Sequence, residues 1–167
     1  RLYTAVQAAS DFACSLGINI PTGKDSLSMT QKYRDGELVY APGTVIITAA
    51  AEVSDIRKSV SPALKHTKSQ LVYVDMSRSA FNLGGSSFAQ TLGFVGSNVP
   101  TVESADYFIK AFTAVQELIN AGKVLAGHDI SAGGLITTLL EMTFADNVSG
   151  MDLSFAALGE PDTIKVL

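Results

Sequence analysis

The stretch that most restricts the fold of this chain runs from residue 124 to residue 144. A short apolar run, Val124-Leu125-Ala126, leads into Gly127-His128-Asp129-Ile130-Ser131-Ala132-Gly133-Gly134, and a strongly apolar run, 135–144, follows. The pattern predicts a strand ending near His128-Asp129 and a helix beginning near Gly133-Gly134. A helix N-terminus presents free backbone N–H groups and a partial positive charge. Two readings of the junction follow. In one, Asp129 or Ser131 caps the helix and the glycines allow close packing. In the other, the carboxylate holds a hard cation such as magnesium and the loop receives a phosphate, since magnesium commonly shares its shell between one or two carboxylates, phosphate and water.

The totals narrow the class. The chain has 167 residues, enough for one domain or two small pieces. Its 47% hydrophobic and 17% charged content can build a core and is too apolar for disorder. A net charge of -4 without a basic patch argues against nucleic acid as a partner. No apolar run reaches the roughly 20 residues of a membrane span, and no signal-peptide pattern is present, so a cytoplasmic location is expected. The single cysteine, Cys14, excludes an internal disulfide framework, fits a reducing compartment and is expected as a core thiol. The chain starts without Met and stops in Ile164-Lys165-Val166-Leu167, as if inside an element, so a piece of a longer protein is expected.

Leu2, Val6, Ala9, Ala13 and Leu16 predict a helix over 2–16 that Gly17 stops. Ile18-Asn19-Ile20 predicts a short strand. Pro21-Thr22-Gly23-Lys24-Asp25-Ser26-Leu27-Ser28-Met29 invites a phosphate-loop reading, but its spacing is wrong. Five residues separate Gly17 from Gly23, and Asp25 follows Lys24 where that loop needs Ser or Thr. What remains is a turn bearing a cation, an anion and a hydroxyl, which a solvated ion pair also explains. Arg34-Asp35-Gly36-Glu37 predicts a turn joining strands 27–33 and 38–41. The small, apolar run 44–53 predicts an interior strand.

Residues 54–69 are polar and interrupted by Pro62, which predicts a domain boundary. His66 there reads as a linker residue. Residues 70–75 predict a strand, and Asn82-Leu83-Gly84-Gly85-Ser86-Ser87 leads to a helix over 88–95. Ser104 is the predicted cap of a helix whose stripe is Phe108, Phe112, Val115 and Ile119 and whose end is Asn120-Ala121-Gly122. The helix over 135–145 is apolar almost all round and expected deep inside, with Glu141 needing solvent or a partner. Residues 151–155 alternate as a strand.

Taken in order, Leu2-Tyr3-Thr4-Ala5-Val6-Gln7-Ala8, Ile20-Pro21-Thr22-Gly23-Lys24-Asp25-Ser26-Leu27-Ser28-Met29, Leu83-Gly84-Gly85-Ser86 and His128-Asp129-Ile130-Ser131-Ala132-Gly133-Gly134-Leu135 resemble the large, single-chain phosphoribosylformylglycinamidine synthase family of purine biosynthesis. The resemblance implies an α/β (α+β) fold like that of aminoimidazole ribonucleotide synthetase. Residues 1–62 would be the C-terminal part of its first domain and 66–167 the N-terminal part of its second, within the second of two such halves. It implies a ligase in which ATP phosphorylates the formylglycinamide oxygen and ammonia then displaces phosphate. A glutaminase domain elsewhere in the chain would supply the ammonia, and Cys14 does not match its nucleophile.

The resemblance also implies site residues. Asp129 would be a magnesium ligand, with Ser131, Gly133 and Gly134 around an ATP or ADP. Gly23, Lys24, Asp25 and Ser26 would approach nucleotide, metal or substrate. Other expected partners are the small-molecule substrate and the rest of the same chain, and the piece alone is expected to self-associate. An auxiliary, non-catalytic nucleotide site and a related ATP-using enzyme of the same superfamily are the alternatives.

Overall fold

A computed structural model describes residues 2–24, 29–41, 43–145 and 150–161. The chain divides into two units, Arg1–Val53 and Ser54–Leu167. In the first, helix α1 spans Leu2–Leu16. Its less exposed residues, Leu2, Ala9, Phe12, Ala13 and Leu16, share one face. Cys14 falls off that stripe and is exposed, contrary to the expected core thiol. Gly17 ends the helix at φ +71°. Its N–H reaches the Cys14 carbonyl at 3.1 Å and the Ile18 N–H reaches that of Ala13 at 2.9 Å, a Schellman motif.

Strands β1 (Thr30–Lys32) and β2 (Leu38–Tyr40) then pair antiparallel, with Gln31 opposite Val39. The connecting turn is closed by the Gly36 N–H on the Tyr33 carbonyl at 3.1 Å, with Gly36 at φ +92°.

In the second unit, α2 is Ser87–Thr91, α3 is Ala105–Asn120 and α4 is Gly134–Glu141. Ser104 caps α3 through the Tyr107 N–H, as its sequence position predicts. Gly122 ends α3 with a second Schellman pair, Gly122 to Ile119 and Lys123 to Leu118, both 2.9 Å. Helix α2 stops short of the predicted 95 because Gly93, at φ +80°, makes the same kind of end, with the Phe94 N–H on the Ala89 carbonyl at 3.2 Å. Among the described residues, the buried ones are Ala89 of α2, Thr138 and Leu139 of α4, and Met142 just after it. Backbone bonds draw the start of the unit onto this core: Leu64 N–H to the Met142 carbonyl at 3.0 Å, and Gly127 N–H to that of Ser61 at 3.1 Å.

The runs 18–20, 44–53, 70–75, 124–126 and 151–155, expected as strands, are not strands. None has a neighbouring strand among the described residues, and a strand exists only where its N–H and C=O groups meet a partner. In 18–20, 44–53 and 70–74 the side chains stay open: Ile46 is 86% and Val72 70% exposed. Helix α4, expected deep inside, is likewise buried on one face only, and Ile136 and Leu140 face outward.

Candidate functional site

The loop ahead of α4 is built from backbone. The Gly134 N–H donates to the Ser131 carbonyl at 3.0 Å, and Gly134 takes φ +78°. Gly133 is the cap residue, and no side chain caps the helix. The capping reading of Asp129 and Ser131 is therefore not what holds this junction. The Asp129 side chain is 90% exposed and Ser131 is exposed. Both are open to solvent, with Asp129 Oδ1 3.5 Å from His128 Nδ1, while the main chain beneath them is fixed.

The fixing is specific. His128 is only 19% exposed and lies between two acceptors. Its Nδ1 is 2.8 Å from the Asp129 carbonyl oxygen, which can only accept, so this nitrogen donates. Its Nε2 is 3.0 Å from Glu141 Oε2, at the last turn of α4. The buried Thr138 hydroxyl also lies 3.2 Å from the Asp129 carbonyl and 3.2 Å from that of Gly134. Thr137 Oγ1 donates to the Gly133 carbonyl at 2.7 Å. Glu141, noted in the sequence as a polar exception on an apolar helix, thus finds its partner in the histidine of the motif. The sequence held both residues, but only the helix that brings its last turn back beside the loop makes them a pair.

A second glycine pair stands beside this loop. The Ser87 N–H donates to the Ala132 carbonyl at 2.8 Å, which joins the Leu83-Gly84-Gly85-Ser86 loop to the Asp129 loop. Gly84 is required there: its N–H bonds the Asn98 carbonyl at 2.7 Å, and a Cβ would lie 2.3 Å from that oxygen. Ser86 Oγ accepts from the Ala89 N–H at 3.1 Å and donates to the Leu83 carbonyl at 2.6 Å. Two glycine-rich helix starts, far apart in sequence, are therefore neighbours.

Among the described residues no three His, Cys, Asp or Glu side chains converge as a metal site. An exposed carboxylate on a rigid loop fits magnesium as one member of a shared ligand set. Two shallow hollows of the described residues lie elsewhere, one between 57–60 and the end of α3, the other at the β1–β2 turn. Gly23 and Lys24 belong to the first unit and are exposed, and a Cβ on Gly23 would meet nothing. Asp25 and Ser26 lie outside the described residues.

Comparison with known proteins adds the lineage. Residues 72–161 match the C-terminal domain of AIR synthase related proteins, and the chain belongs to that family. Residues 1–52 match the FGAR-AT PurM_N-like domain. The chain is 44% identical over 160 residues, 95% of its length, to a probable phosphoribosylformylglycinamidine synthase, chloroplastic/mitochondrial, of Arabidopsis thaliana. It spans 11% of that protein. The two domain matches and this relative fit a stretch of a large phosphoribosylformylglycinamidine synthase.

Proposed function

We propose that this chain is the part of such a synthase, in the second of its two related halves, that presents a magnesium–nucleotide loop. The parent enzyme converts formylglycinamide ribonucleotide, glutamine and ATP to formylglycinamidine ribonucleotide. Residues 1–62 and 66–167 belong to its two successive domain types, and the remainder of the same chain brings the glutaminase domain and the other metal ligands. The cytoplasm is the proposed location, and the name of the plant relative assigns that protein to chloroplast or mitochondrion.

One observation carries the reading. The Asp129 carboxylate is 90% exposed, its Oδ1 3.5 Å from His128 Nδ1, and it does not cap α4, while its own carbonyl is held by His128 and the buried Thr138. A helix start built to be capped would turn that acid inward to the N–H groups. Asp129 is the proposed magnesium ligand. Ser131, Gly133 and Gly134 are the proposed phosphate-side contacts of ATP or ADP, and Gly23, Lys24, Asp25 and Ser26 the proposed nucleotide or substrate contacts. Bound magnesium would neutralise phosphate charge, while the loop N–H groups orient the oxygens. The test is made on the full-length protein. With formylglycinamide ribonucleotide and glutamine present, it should turn ATP into ADP and phosphate, and omission of either should stop turnover. ATP hydrolysis indifferent to both compounds would contradict the reading.

A further inference from the structure

We infer that Glu141 is a positioning residue for Asp129, acting through His128. The inference rests on the proposed magnesium–nucleotide site. Its basis is a chain of contacts across α4. Glu141 Oε2 lies 3.0 Å from His128 Nε2, and His128 Nδ1 lies 2.8 Å from the Asp129 carbonyl. Thr138 Oγ1 reaches the same carbonyl from below at 3.2 Å. The Asp129 main chain is thus held from two sides, and its own carboxylate, open to solvent, has Oδ1 3.5 Å from the same His128 Nδ1. Without Glu141 the imidazole keeps one anchor and can rotate about its side-chain bonds, and the donor to the Asp129 carbonyl is no longer fixed. Outer partners of this kind commonly change metal affinity by about 10–100-fold. Glu141 stands twelve residues beyond Asp129 and touches no proposed ligand contact, so its effect should be confined to the metal-dependent part of binding.

The experiment uses full-length protein stripped of nucleotide and titrated with ADP, with and without magnesium. Glu141→Leu should weaken Mg·ADP about tenfold, leave magnesium-free ADP binding unchanged and keep the thermal midpoint of the empty protein. Glu141→Gln retains a polar head able to hydrogen-bond Nε2, and should restore most of the affinity. His128→Gln keeps a nitrogen for Glu141 but drops the donor to the Asp129 carbonyl, and should weaken Mg·ADP as Glu141→Leu does. That variant decides the matter if Glu141→Leu fails to fold. Wild-type Mg·ADP affinity in Glu141→Leu or His128→Gln, or equal losses with and without magnesium, would overturn the inference. Asp129→Asn measured alongside separates the two levels. If it loses Mg·ADP while the Glu141 and His128 variants do not, the positioning role fails and the site stands. If all of them bind as wild type, the site itself fails.

Discussion

The Asp75 carboxylate gathers three hydrogen bonds on one oxygen: from Ser77 Oγ at 2.7 Å, Ser77 N–H at 2.8 Å and Arg78 N–H at 3.1 Å. Partial burial pushes its pKa up, but the Ser77 hydroxyl and amide, the Arg78 amide and the Arg78 charge outweigh that, and the folded-state value lies below the ordinary one. The folded state therefore binds fewer protons than the unfolded one between the two values. The stabilisation is fully present above the unfolded pKa of about 4 and is lost as pH falls through the lower folded value. Asp75→Ala should destabilise the protein at neutral pH, and its deficit in denaturant unfolding should shrink only below about pH 4. A deficit that shrinks between pH 5 and 7 would assign the effect to another group. The turn matters because it holds the approach to α3: Glu103 N–H bonds the Ser77 carbonyl at 3.0 Å, and the Arg78 guanidinium lies 5.3 Å from the Tyr107 ring centre.

Among the elements, the helices were legible and most strands were not. Helix α1 and helix α3 carry their own instructions: an apolar stripe, a serine cap for α3, and a glycine after the last turn of each. All of these act within a few residues of chain. The miss at α2 has the same origin, since Gly93 was a stop signal read as helix interior. The runs 44–53 and 70–75 carry strand composition, but a ladder needs a partner that no local pattern supplies. The β1–β2 hairpin formed because its partner is its neighbour in sequence. At the candidate site, the helix start at the glycine pair could be read from the motif, whereas the His128–Glu141 pair required the return of α4. One element-scale test follows. In a peptide of residues 103–124, Gly122→Ala places a side chain at φ +67°, so circular dichroism should show a helix end destabilised by about 1 kcal/mol. Unchanged or greater helix content would show that the Schellman end contributes nothing.

For the whole molecule, the decisive fact is how little is buried. Ala89, Leu139 and Met142 are its buried apolar residues among those described, while Ile46, Val53, Val72, Phe94 and Phe144 are open to solvent. Exposed apolar runs with unpaired backbone seek cover. Residues 1–167 made alone should associate at micromolar concentration in analytical ultracentrifugation, and a stable monomer there would show that the runs are covered within the chain. The chain spans 11% of its plant relative, and in the proposed parent the remaining chain would supply that cover. The proposed magnesium site has the same need: Asp129 offers one exposed carboxylate, and other segments would have to supply the remaining ligands.

The most direct measurement is the nucleotide content of the purified full-length protein and of its Asp129→Asn variant. The parent should carry ADP or ATP with magnesium, and the variant should come without it. Loss of nucleotide together with a lower thermal midpoint would give the site an auxiliary, structural role, and lost turnover at an unchanged midpoint a catalytic one. A variant that keeps both its nucleotide and its activity would contradict the account.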